Sequence, residues 1–127
     1  MEDYKTTLRR LAVRDDRYIA SLLADERDSA AQSGLDPGTH ALVRVGALIA
    51  MDAAPPSYMS AVEAAEQASV THEEIVGALI AVLPVVGVAR VVSAAPNLGL
   101  AIGYDVGDAL EQVGHDHVTE PGTGTAA

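Results

Sequence analysis

Leu35-Asp36-Pro37-Gly38-Thr39-His40-Ala41-Leu42-Val43-Arg44 and, further on, Val70-Thr71-His72-Glu73-Glu74-Ile75 are the stretches whose reading decides the fold. In the first, Asp36 stands where a helix N-cap belongs and Pro37 at the first helical position, where its fixed φ suits and its missing N–H is not needed. In the second, Thr71 and Glu74 have the spacing of a capping box, each side chain serving the other's backbone N–H. Each opens a run with apolar residues at helical spacing, and nowhere does the chain sustain the period-two alternation of a half-buried strand. The spacing predicts an all-α fold.

Outward from these two starts, the periodicity predicts helices over about 4–13 and 15–24, then a break at Ser33-Gly34. A long helix follows over 36–51, ended by Ala53-Ala54-Pro55-Pro56, and another covers 57–69. These two are expected to form a central antiparallel pair. The capping box opens 73–83; Pro84 ends or kinks it, 86–95 continues, Pro96 interrupts again, and short helices cover 98–102 and 106–112. From Gly114 the Gly-, Thr- and Ala-rich sequence reads as a flexible tail, giving one domain over 1–113 and a tail over 114–127.

Composition narrows the function classes. Within 127 residues there is no Phe, Trp or Cys, and the only aromatics are Tyr4, Tyr18, Tyr58 and Tyr104. A core of Ala, Val, Leu and Ile lets helices approach closely but buries little area per side chain. A homo-oligomer is therefore expected, with the apolar run 75–92 as its interface. The formal charge of −10 argues against nucleic acid, which needs clustered cations to neutralise phosphate. Six of the eight basic residues lie in the first 27 positions; after Asp36 only Arg44 and Arg90 remain, against ten acidic residues. Residues 1–16 lack the apolar core of a signal peptide, and the longest uncharged run, 75–89, is interrupted by Gly77, Pro84 and Gly87 and falls short of the ~20 residues of a membrane span. No membrane partner is expected, and the expected location is the cytoplasm.

Over 35–95 the pattern of an "LDP" helix start, a helix pair and a "T-x-E-E-I"-type capping box resembles the carboxymuconolactone decarboxylase superfamily, which includes the alkylhydroperoxidase D-like thiol peroxidases. The resemblance implies an all-α alkylhydroperoxidase D-like domain assembled as a homo-trimer or homo-hexamer, with a site between the long helix and 57–69. The peroxidase branch carries a Cys-x-x-Cys pair, a His beyond it and a Glu before it. Here the Cys positions fall at Ala54 and Ser57, the His at Ala61, the Glu at Ala41, and a family Gly at Ser69, while Gly87 matches a family Gly and Ser93 a frequent Asn. Without any cysteine a thiolate cannot cycle through a disulfide, so thiol peroxidase chemistry is ruled out. Decarboxylase, isomerase or lactone-type chemistry, free of cofactor and metal, is what the resemblance leaves.

Residues that could serve such a site are few. Ser57 and Tyr58 lie at the start of a helix, where free N–H groups favour an anion or an enolate oxygen; Tyr58 is either a general acid or a buried tyrosine bonded through its hydroxyl. Arg44 and Arg90, each set in apolar sequence, are either ion-paired to Asp52, Glu63 or a neighbouring subunit, or clamp a carboxylate ligand. Arg90 shares a stripe with Ser93 and Asn97. His40 lies on the stripe of Arg44, and Asp52 is the nearest displaced carboxylate. Leu48, Ala61 and Val62 would form apolar walls. Glu63 and Glu66 fall on the polar stripe of their helix and read as a solvated face. His115 and His117 lack a third ligand and do not make a metal site. Two functions compete: a carboxymuconolactone decarboxylase-like protein acting on or binding a small, partly apolar anion, and a catalytically silent oligomeric scaffold or ligand carrier. A closed pocket at Ser57, Tyr58 and an arginine favours the first; a filled volume favours the second.

Overall fold

Every regular element in the computed structural model, which describes residues 3–119, is a helix, and there is no strand among them. In chain order they are α1 (Tyr4–Ala12), α2 (Asp16–Ala24), α3 (Glu26–Ser33), α4 (Pro37–Met51), α5 (Pro55–Gln67), α6 (His72–Val86), α7 (Val88–Ala101) and α8 (Val106–Thr119). The chain divides into two compact units, Met1–His40 and Ala41–Ala127.

In the first unit α1 packs on α2 and α2 on α3. Asp15 caps α2 by accepting from the Tyr18 N–H at 3.1 Å, and Asp25 caps α3 by accepting from the Arg27 N–H at 2.9 Å. Gly34, at φ 70°, ends α3 in the left-handed conformation that a residue without Cβ adopts freely. The sequence reading missed α3. Its residues, ERDSAAQS, carry no apolar stripe, so what marks it is the cap at each end. No residue of α1 or α2 is fully buried.

The second unit holds the core. Ala41, Val45 and Ile49 of α4, Tyr58, Ala61, Val62 and Ala65 of α5, Ile75 of α6, and Ala94 and Leu98 of α7 are buried together with Val70. α7 carries the close packing: α5, α6 and α8 all lie against it. Small residues permit that approach. A Cβ on Gly99 would stand 2.8 Å from the Tyr104 carbonyl oxygen and 2.9 Å from Val106 Cγ2, so only glycine fits where the chain turns from α7 into α8. α4 meets α6 the same way, Gly46 facing Val82.

Both internal prolines are accommodated. Pro84 lies inside α6, where the sequence reading has it end or kink the helix, and Pro96 inside α7, where it interrupts; both helices run on past their prolines. A proline removes one helical hydrogen bond without preventing continuation when tertiary packing holds the flanking turns. Pro55 and Pro56 likewise form the first turn of α5 and not the connection before it. α8 runs to Thr119, past the expected end near Gln112; residues 120–127 of the expected tail lie outside the described residues.

Candidate functional site

The candidate residues converge where α4 ends. Asp52 follows the helix at φ 54°, in the left-handed region that few residues other than glycine occupy. The Asp52 N–H donates to Ile49 O at 3.2 Å and the Ala53 N–H to Leu48 O at 3.1 Å, the paired bonds of a Schellman cap. Tyr58, one turn into α5 and fully buried, donates its hydroxyl to the same Leu48 oxygen at 3.2 Å. One carbonyl thus accepts from a backbone amide and from a phenol, using both its lone pairs.

The Asp52 side chain reaches α7. The Ser93 hydroxyl donates to Asp52 Oδ1 at 2.6 Å, and Arg90 Nη1 lies 3.5 Å from Asp52 Oδ2. Asn97, one turn beyond, donates through Nδ2 to the Ser93 carbonyl at 3.5 Å. The stripe Arg90–Ser93–Asn97 therefore forms as its spacing suggests, and the carboxylate that engages it is Asp52. The Arg90–Asp52 pair is about half exposed, at 49% and 44% of side-chain surface, so water screens it and its energy is ~0–1 kcal/mol. It orients more than it stabilises. Tyr58 has its pKa raised above the ordinary phenol value, first by burial and second by the negative charge of Asp52, with a smaller opposing hydrogen bond from the Ala53 backbone. Its phenol is held in the neutral form.

The other candidates are dispersed. Ser57 is exposed at the third position of α5, and its own N–H, one of those expected to be free at the helix start, is bonded to Ala54 O at 3.0 Å. Arg44 is half-buried on α4 and is not free. His40 is half-buried in the first turns of α4. Leu48 is partly buried, and Ala61 and Val62 are buried among the core residues as side-chain packing. Glu63 and Glu66 are exposed, as their stripe predicts; Glu66 stands 3.7 Å from His72 Nε2 in a solvent-facing pair. Among the described residues no group of three His, Cys, Asp or Glu could hold a metal ion, and the side chains of His115 and His117 lie outside the description.

What sequence reasoning missed is the use made of the helix ends. Arg14, Asp52 and Ser69, at φ 55°, 54° and 63°, each close a helix in the left-handed conformation. Each is followed by the same backbone pattern: Asp15 N–H to Arg10 O, Ala53 N–H to Leu48 O, Val70 N–H to Ala65 O. No helix among the described residues is long and apolar enough to cross a membrane.

The arrangement is a structural corner. A core tyrosine ties α5 to the end of α4, and a strained aspartate ties that end to α7. Comparison with family models, with curated proteins and with solved structures finds no match to this chain.

Proposed function

We propose that this protein is a catalytically silent, self-associating helical module whose working surface is the outer face of α6 and α7. One observation carries the reading. Ile75, Leu79, Val82 and Val86 turn one stripe of α6 toward the core, and Val91, Ala94, Leu98 and Ala101 do the same on α7. The next stripe is also apolar: Val76, Ile80 and Leu83 of α6 and Val88 and Val92 of α7 stand 37–71% exposed. Residues 75–89 contain no charge to keep this surface in water. A helix apolar on both faces is covered on both faces, and contiguous exposed apolar surface of this kind marks an interaction site.

The groups an enzyme would need at the α4–α5 corner have other work. The Tyr58 hydroxyl is bonded to a backbone carbonyl, Arg90 faces Asp52, and the volume near Ala61 and Val62 is core packing. That supports the scaffold reading over non-redox turnover of a small anion. A homo-trimer or homo-hexamer is the assembly implied by the resemblance to the carboxymuconolactone decarboxylase superfamily, and we carry that assembly as part of this proposal.

Sedimentation velocity at micromolar concentration tests it. The wild-type chain is expected to sediment as a closed oligomer, and Ile80→Glu, which places a charge on the exposed stripe without touching the core, as a folded monomer. A wild-type monomer at those concentrations overturns the proposal.

A further inference from the structure

A single residue joins α6 to α7. The first ends at Val86 and the second begins at Val88, and Gly87 between them stands at φ 89°, ψ 166°, a region of backbone space that essentially only glycine enters. Nothing packs on the bend: Gly87 is exposed, and a Cβ built on it would find no atom within 4 Å. The change of direction between the two helices therefore rests on the backbone freedom of one residue.

The bend interrupts hydrogen bonding that the chain could otherwise complete. The Gly87 N–H donates to Leu83 O at 3.0 Å, so α6 keeps its helical bonding up to the bend. Beyond it α7 starts with no side-chain cap. The carbonyls of Pro84, Val85 and Val86 and the amides of Val88, Ala89 and Arg90 are thus helix ends without intrahelical partners. With helical angles at Gly87 they become each other's partners four residues apart, Val88 N–H to Pro84 O, Ala89 to Val85 and Arg90 to Val86. Pro84 and Pro96 already lie inside helices, so no other residue has to change for α6 and α7 to run as one helix from His72 to Ala101.

A straight helix cannot keep α7 against α5 and α6 of its own chain, both of which it packs on. A second copy opened in the same way offers the same surfaces. Reciprocal exchange returns Ala94 and Leu98 to the core they leave and closes the pair with two-fold symmetry. We propose that Gly87 is a hinge through which two copies exchange α7 and α8, each α6–α7 then forming one continuous helix. At low concentration the chain closes on itself, because packing within one chain needs no second copy; at high concentration the exchange competes. It uses the core face of α7 and not the outer face of α6 and α7, so it does not depend on the assembly proposed above.

The test is made in the Ile80→Glu chain, where outer-face assembly does not contribute. The protein is unfolded, refolded at low micromolar and at submillimolar concentration, and then diluted for sedimentation velocity. A slowly reverting dimer is expected only after refolding at the higher concentration. Gly87→Ala, which is denied the bend, should move the balance about tenfold or more toward that dimer without loss of helical circular dichroism. The Asp52→Cys/Ser93→Cys chain reads the connectivity, because these two side chains touch at 2.6 Å across the hinge and the protein has no cysteine of its own. A short bismaleimide should join the two sites between chains in the dimer, giving a covalent dimer on a denaturing gel, and within one chain in the monomer. Three results overturn the inference: a Gly87→Ala chain that stays a folded monomer at every refolding concentration, one that loses its helical signal, or a dimer whose crosslinks all fall within single chains.

Discussion

Tyr58 shows how a single side chain can suggest chemistry and serve architecture. Its stripe position marks it as inward-facing, and that is legible from Tyr58, Ala61, Val62 and Ala65 alone. Which of its two readings applies depends on the partner of its hydroxyl, and the partner is a carbonyl ten residues away at the end of another helix. Replacing Tyr58 with Phe leaves that carbonyl its backbone bond from Ala53, so a loss of about 0.5–1.5 kcal/mol in urea unfolding is expected, with no cavity. The raised pKa adds a pH signature. Because the folded protein holds the phenol neutral while the unfolded chain ionises near 10.0, the ordinary phenol value, stability is fully present below pH 10 and is lost as pH rises beyond it. Melting temperature followed from pH 8 to 11 should fall in the wild type above that value and fall less in Tyr58→Phe. Asp36 acts in the opposite sense: hydrogen bonds from the Thr39 side chain and backbone lower its pKa, so its contribution is present above the ordinary carboxylate value of 3.8 and lost as pH falls below it. At Ser69 the left-handed backbone is held without glycine. Ser69→Gly should raise stability by roughly 0.5–1 kcal/mol, relief of a strained φ reduced by the extra freedom of glycine in the unfolded chain.

Elements were legible where their ends carry a chemical signal. The Thr71–Glu74 capping box forms with both hydrogen bonds, at 2.9 and 3.1 Å, as the two residues announce. Thr71→Ala should cost about 1 kcal/mol, read as a lower urea midpoint at unchanged slope. Asp36 accepts from the Thr39 N–H at 3.0 Å at the start of α4, again as read. Signals that depend on competition were misjudged. Pro84 and Pro96 disfavour a helix interior locally, but burial of Ile75 in α6 and of Ala94 and Leu98 in α7, with Val82 and Val86 partly buried on either side of Pro84, outweighs one lost hydrogen bond in each helix, at about 1.5–3 kcal/mol for a fully buried Leu or Ile. α3 has the reverse character, with nothing in its periodicity to find. The antiparallel pairing of α4 with α5 was expected at the centre, whereas the close packing in the structure gathers on α7. Gly99 is the position that permits it on the α8 side, and Gly99→Ala should cost about 1–3 kcal/mol because its Cβ meets backbone that cannot move aside.

At the scale of the molecule, composition determined much before any fold was known. The absence of cysteine alone predicts that peroxide turnover with a dithiol reductant matches the protein-free rate, whatever the tertiary arrangement. Helical class, the stripes of α5, its solvated glutamates and the long apolar run of 75–92 also follow from the order of residues, because period and burial are local properties that each helix carries with it. Only the tertiary structure decided which apolar stripe faces inward: Ile75 and Ile80 are the same residue on the same helix, and one is fully buried while the other is 71% exposed. It decided equally that Arg90 meets Asp52, since residues 38 positions apart in the chain become partners only when α7 lies beside the end of α4. Local sequence sets what a helix can offer. Which offer is taken up depends on neighbours that are distant in the chain, and long-range packing energies choose them.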